Sequence, residues 1–198
     1  MSDTLLTLQN DTTEGCGPLL RSTRNGSRSL RQETSEFVRA RGKAARTDVT
    51  QALNISAGSA TTLTADLIAS GFLREVEHST RESGRGRPRV ALEVVPEAGF
   101  VVGVKLAFKR HIAVLLDLAG NLIADADFPS SDVGRPIENL VDEIEKIIHK
   151  LLKEAGKNQL SIRAVGIGLP GIIDHNSGVV VWSSMLQTRD EDLGAAFA

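Results

Sequence analysis

RESGRGRPRV, residues 81–90, crowds four arginines, two glycines and one proline between two stretches that look foldable. Its reading decides the architecture of the first half of the chain: an idle solvated linker, or the basic tip of a β-hairpin that holds something anionic. Upstream, GFLREVEH (residues 71–78) alternates apolar and polar side chains, and downstream VALEVV (residues 90–95) does the same. That alternation is the signature of half-buried strands. Joined as a hairpin, the two strands would carry STRESGRGRPR at their tip. Arg85, Arg87 and Arg89 then project from glycine-permitted turns, where basic side chains can clamp phosphates or enter a minor groove.

Three short helical segments precede the hairpin. SLRQETSEFVRARG (residues 29–42) places Leu30, Phe37 and Val38 on one face and ends at Gly42, a plausible C-cap. ARTDVTQALNIS (residues 45–56) turns Val49, Ala52 and Leu53 inward, with Asp48 in the first turn, where a carboxylate suits the helix dipole. Asn54 falls where a tight turn wants a residue tolerant of left-handed geometry. SAGSATTLTADLIASG (residues 56–71) restarts with Ser56 as N-cap, buries Ala60, Leu63 and Leu67 at helical spacing, and stops at Gly71. Helix, short turn and helix is the layout of a helix-turn-helix, and two strands after it make a wing. The helices alone fit equally a plain three-helix core with a solvated Ser/Thr face; the arginine-tipped hairpin favours DNA. The candidate DNA contacts are Arg46, Ser56, Gly58, Ser59, Thr61 and Thr62 on the helices and Arg85, Arg87 and Arg89 on the wing. Ser and Thr hydroxyls pair with several bases, so these residues predict no operator sequence.

Charge supports a division of labour. The formal net charge of -2 hides 13 Lys or Arg against 7 Asp or Glu over residues 21–90, and 10 against 15 over residues 91–198. A basic front and an acidic back suggest two domains with different partners. The single cysteine, Cys16, excludes an intrachain disulfide framework and fits a reducing compartment. The longest apolar stretch, residues 98–118, is broken by Lys105, Lys109, Arg110 and His111, so no membrane span is expected. The N-terminus lacks the basic start and apolar core of a signal peptide. The reading is a cytoplasmic protein with no membrane partner, whose residues 1–25 form a loose Thr/Ser/Gly/Asn-rich tail.

From Phe100 the pattern changes. FVVGVKLAFKRHIAVLLDLAGNLIADADF (residues 100–128) reads as strand, turn and strand, with Val102, Val104 and Leu106 alternating and a hairpin turn at Ala119, Gly120 and Asn121. RPIENLVDEIEKIIHKLLKEAGK (residues 135–157) is an amphipathic helix with Leu140, Val141, Ile144, Ile147, Ile148, Leu151 and Leu152 along one stripe. The stripe could serve a dimer interface, but packing on its own sheet is the simpler expectation. IRAVGIGLPGIID (residues 162–174) reads as a buried strand entering a Gly/Pro loop, and SGVVVWSS (residues 177–184) as a further strand. This order suggests a mixed α/β sheet. None of His78, His111, His149 or His175 has a metal-like neighbour spacing, so each is read as a surface or core residue.

GRGRPRVAL, VGVKLAFKRHIAVLLDLAGN and GIGLPGIID stand in the same order in a known family. Over about residues 25–193 the chain resembles the transcription-regulator branch of the ROK family (repressor, open reading frame, kinase). The resemblance implies an α+β winged helix-turn-helix over residues 26–95, followed by the first lobe of an α/β actin-like ATPase domain over residues 96–198. It also implies a DNA-binding regulator of carbohydrate-related genes, expected to be a repressor and homo-oligomeric. Its partners would be a double-stranded operator and a sugar or sugar-phosphate effector, with Pro170 and Gly171 in the sugar loop. Family kinases carry an Asp-Ile-Gly-Gly-Thr-Lys opening. Here Lys105 holds the carboxylate position, with Ala107 and Phe108 in place of the paired glycines. A bulky side chain there bars the close approach of backbone to phosphate, so no catalysis is expected. The alternative reading is an ATP-dependent sugar kinase with an added N-terminal domain. Met185 stands where the family often places a sugar-binding Asn, and a thioether is a weak acceptor and no donor. The family's Asn-Asp segment and His/Cys zinc motif have no counterpart before Ala198, so the effector domain is expected to be incomplete and to carry no cofactor.

Overall fold

A computed structural model describes residues 29–78, 89–130, 134–174 and 177–197. The N-terminal tail, Arg85 and Arg87, and Cys16 and His175 lie outside the described residues. Two compact units divide the chain after Ala98, with Leu118–Gly120 grouped with the first.

The first unit builds three helices and a three-stranded sheet from strong local signals. Helix α1 (Leu30–Arg41) opens with a reciprocal cap: the Ser29 hydroxyl accepts from the Gln32 N–H, and the Gln32 side chain accepts from the Ser29 N–H at 3.1 Å. Its inner face is Thr34, Phe37 and Val38. Leu30, expected on that face, is instead exposed, because it occupies the first turn and Thr34 takes the buried position one turn on. The Thr34 hydroxyl makes that tolerable by donating to Leu30 O at 2.7 Å.

Strand β1 (Lys43–Ala44) follows, then α2 (Arg46–Leu53), whose first turn is tied by Asp48 accepting the Ala45 N–H at 2.8 Å. Val49 is buried and Leu53 half-buried. Ala52 is a correction: it faces solvent, since the inward arc of so short a helix spans only one turn's width. Asn54 adopts φ 52°, ψ 47°, the left-handed geometry its amide tolerates. Helix α3 (Ala57–Ala69) begins where the Ser56 hydroxyl accepts the Ser59 N–H at 3.1 Å. Ala60, Thr64 and Leu67 are buried, and Leu63 is half-buried at the margin. Gly71, at φ +75°, turns the chain out of the helix. Strands β2 (Leu73–His78) and β3 (Arg89–Val94) pair antiparallel from Leu73↔Val94 to His78↔Arg89. Strand β1 pairs on the far side of β3, giving the order β1-β3-β2. Phe37, Val38, Ala44, Val49, Ala60, Leu67, Leu73 and Leu92 form one core.

The second unit is a mixed sheet with one helix and a small second sheet. Strands β4 (Phe100–Lys105), β5 (Arg110–Asp117) and β6 (Leu122–Pro129) form an antiparallel meander. Helix α4 (Ile137–Ala155) then crosses to β7 (Ile162–Gly168), which lies parallel to β4, so the order is β6-β5-β4-β7. The expected stripe of α4 packs on its own sheet: Leu140, Ile144, Ile147 and Leu151 are fully buried against Val102, Val104, Ala113 and Leu115. Pro136 precedes the helix and Gly156, at φ +62°, ends it. Strand β7 corrects the expectation of a buried strand. It pairs only with β4 among the described residues, and Val165 is 45% exposed. Strands β8 (Gly171–Ile173), β9 (Val179–Ser183) and β10 (Glu191–Asp192) make the second sheet, in the order β10-β9-β8. Among the described residues no helix is long and apolar enough to cross a membrane.

Candidate functional site

In the first unit, α3 turns a face of short side chains outward. Gly58, Ser59, Thr61 and Thr62 are all exposed, flanked by Ala57 and Ala65. Ser56 serves as the cap, and its hydroxyl also shares a 2.9 Å hydrogen bond with that of Ser59. Thr61 donates back to Ala57 O at 2.9 Å. Gly58 has no reason inside the chain to lack a side chain, because a Cβ there would meet only Ser56 Oγ, at 3.8 Å. Helix α3 carries one charged residue, Asp66, and this is paired with Arg31. Arg41, the last residue of α1, and Lys43 of β1 are exposed, with the Arg41 guanidinium 5.3 Å from the centre of the Phe37 ring.

The remaining predicted contacts divide. Arg46 does not point freely to solvent. Its Nε donates to Thr64 Oγ1 at 3.0 Å and its Nη2 to Glu75 at 2.6 Å. Arg89 opens β3 opposite His78. Arg85 and Arg87 belong to residues 79–88, the connection between β2 and β3.

In the second unit, attention falls on the carboxyl ends of the parallel pair β4 and β7, where open α/β sheets bind ligands. Leu106 N–H donates to Gly168 O at 2.8 Å, so the loops that follow the two strands start side by side. The loop after β4 has none of the openness of a phosphate cradle. The Ala107 N–H is spent on His111 Nδ1 at 3.3 Å, Phe108 is exposed, and Lys109 takes φ +73° while its carbonyl accepts the Ser130 N–H.

The loop after β7 contains Pro170, and Gly171 opens β8. Pro170 O accepts the Ser183 hydroxyl at 2.8 Å. A Cβ on Gly171 would lie 2.3 Å from Trp182 O and 3.1 Å from Ser183 Cα. The close approach of β8 to β9 is therefore sufficient reason for glycine. Gly171→Ala is expected to destabilise the second unit by about 1–3 kcal/mol, the usual penalty of overpacking. Urea unfolding followed by fluorescence of Trp182, the single tryptophan, measures this. Met185 is fully buried in the core, so its thioether fills space and faces no ligand.

Beneath these loops lies a polar cluster. His111 is fully buried on β5, and its Nε2 meets Glu143 of α4 at 2.8 Å. An N–H can only donate, so His111 Nδ1 accepts from Ala107 and Nε2 carries the proton toward the carboxylate. Arg135 Nη1 pairs with the same Glu143 oxygen, while Arg135 Nη2 donates to Ser130 Oγ at 2.9 Å. The main chain of Arg135 pairs in turn with Met185 and Gln187. His111 thus fits the expectation of a core residue, but its partners were not foreseen. The available signal was Glu143 itself, a charge set between Leu140 and Ile147 on the apolar side of α4. Among the described residues no three His, Cys, Asp or Glu gather as a metal site.

The model of the ROK family matches residues 101–198. The xylose repressor of Caldicellulosiruptor bescii is 28% identical over 148 residues, covering 75% of this chain and 36% of the repressor. The DNA-binding transcriptional dual regulator NagC of Escherichia coli is 22% identical over 151 residues, again covering 75% and 36%. The chain thus spans about a third of the length of these relatives. A crystal structure described as a ROK family transcriptional regulator, homolog of the E. coli MLC protein, superposes with a TM-score of 0.64 at 20% identity, over 85% of this chain and 42% of that one. That likeness establishes a shared fold.

Proposed function

The chain carries a ROK family domain over residues 101–198, and from that premise we propose that it is a DNA-binding transcriptional repressor of carbohydrate-related genes. Its first unit acts in this reading as a winged helix-turn-helix. The observation that carries the proposal is the run α2, left-handed Asn54, capped α3 and the β2–β3 hairpin, with β1 pairing on β3. The names of its relatives, a xylose repressor and the regulator NagC, support the same reading.

Helix α3 enters the major groove with Gly58, Ser59, Thr61 and Thr62 toward the bases. Arg85, Arg87 and Arg89 hold phosphates or the minor groove from the wing. The chain acts as a homodimer on paired half-sites, and a sugar or sugar phosphate bound by the second unit sets its affinity for DNA. No catalysis is assigned. The engaged Ala107 N–H and the bulk of Phe108 support a second unit that senses ligands without transferring phosphate.

Selection from a pool of random-sequence duplexes tests the proposal. The expected product is a recurring two-fold symmetric sequence, its half-sites about 10 base pairs apart or a multiple of that; a pool that stays random contradicts it. Gly58→Ala separates the interface from the fold. The substitution should leave the thermal midpoint unchanged or slightly raised, because alanine favours helix. Affinity for the enriched duplex should fall roughly ten-fold, as the backbone is pushed off the groove by one methyl. An unaltered affinity would remove Gly58 from the interface.

A further inference from the structure

Arg46 is among the candidate DNA contacts, but its surroundings point elsewhere. It opens α2, yet its guanidinium reaches both of the elements that follow. Nε donates at 3.0 Å to Thr64 of α3, and Nη2 donates at 2.6 Å to Glu75 of β2. Thr64 is fully buried, and its hydroxyl proton is already committed to Thr61 O at 3.1 Å. The oxygen therefore has acceptor capacity to offer, and Arg46 uses it. Turning the Arg46 head outward to a phosphate would take a hydrogen bond from a buried hydroxyl and the cation from Glu75.

We infer that Arg46 is a positioning residue: it fixes α3 and the wing strand β2 to α2, and acts on DNA through them. This deepens the proposed DNA reading and rests on it. The planar fork of arginine suits the role, since two N–H groups at fixed angles serve two acceptors at once. A lysine would keep the charge but offer one ammonium to two sites on different elements.

Salt dependence separates positioning from contact. Each phosphate that a cation neutralises adds about 0.9 to the slope of log affinity against log salt. The full chain and its Arg46→Lys, Arg46→Ala, Thr64→Val and Glu75→Gln variants would be titrated by anisotropy against the duplex enriched from a random pool and a scrambled duplex of the same composition, in 50–200 mM KCl. Circular dichroism would accompany each titration. For a positioning residue, Arg46→Lys and Arg46→Ala both lose roughly ten-fold in affinity for the enriched duplex, the size of one base-pair mismatch. Thr64→Val, which retains Arg46, moves in the same direction. The salt slope stays that of the unaltered chain in every variant, and affinity for the scrambled duplex stays within about two-fold. Arg46→Lys behaving as wild type, with the slope of Arg46→Ala shallower by about 0.9, overturns the inference and restores Arg46 as a phosphate contact. Unchanged affinity in Thr64→Val and Glu75→Gln also overturns it. Failure of the unaltered chain to distinguish the two duplexes overturns the DNA reading, a result that the variants cannot mimic.

Discussion

Replacing Arg85, Arg87 and Arg89 together by alanine is expected to flatten the salt dependence of DNA binding by about 2.7 in the log–log slope, if each neutralises one phosphate. Over a four-fold rise in salt, the triple variant would then lose about forty-fold less affinity than the unaltered chain. At low salt its affinity would be reduced most, since the missing counterion release is worth most there. The expectation follows from where the hairpin begins and ends. His78 and Arg89 face each other across β2 and β3, and Arg85 and Arg87 fall in sequence within the ten residues that join the two strands. The same three positions changed to lysine sharpen the test. Three ammonium groups would preserve the slope, while any preference for a narrow minor groove, which arginine serves better, would weaken. A slope unchanged in the alanine variant would return the segment to the status of a solvated linker.

The second large effect is on stability. Glu143→Ala should destabilise the second unit by about 3–5 kcal/mol, the range seen when one partner of a buried ion pair is removed. Arg135 is 5% exposed, and the carboxylate of Glu143 answers both its guanidinium and the Nε2 proton of His111. Removing that carboxylate withdraws the counter-charge and one acceptor in a single step. For a unit near 100 residues this corresponds to a fall in midpoint of roughly 12–40 °C. Trp182 lies on β9 of the same unit, so its fluorescence reports the transition. Glu143→Gln should be milder, because the amide oxygen can still accept. The double variant Arg135→Met with Glu143→Leu should recover part of the loss, since an apolar pair removes the desolvation penalty of the ion pair, while the buried His111 Nε2–H still lacks its acceptor. A loss below about 1 kcal/mol in Glu143→Ala would show that the cluster is better hydrated than its burial implies.

The features legible in the sequence are those written into local chemistry. Asn54 was read as a left-handed turn and Ser56 as a cap from residue type alone, and both geometries are found. The alternation over residues 71–78 and 90–95 points to two strands, and β2 (Leu73–His78) and β3 (Arg89–Val94) pair over six residues. The stripe of α4 was legible because seven apolar residues at helical spacing leave only one way to bury them. What escaped notice depends on tertiary neighbours. Strand β1 is two residues long, too short to show a period, and exists because β3 offers an edge to Lys43 and Ala44. Thr34 replaced Leu30 in the core because a hydroxyl can be satisfied by its own helix. Val165 looked buried by composition, but burial in a strand depends on what covers its faces. Gly171 matched a ligand-loop pattern, while its nearest constraint is the backbone of Trp182. Arg46 and Glu143 were least legible, since a charged residue in sequence reads as a surface residue until its partners are known.

Whether the first unit reads DNA is decided by one comparison of affinities. The full chain is titrated by fluorescence anisotropy against the enriched duplex and against its scrambled counterpart, at the same KCl concentration within the physiological range. A DNA-reading first unit should prefer the enriched duplex by about a thousand-fold or more. Equal affinity for the two, or no binding to either, would contradict it.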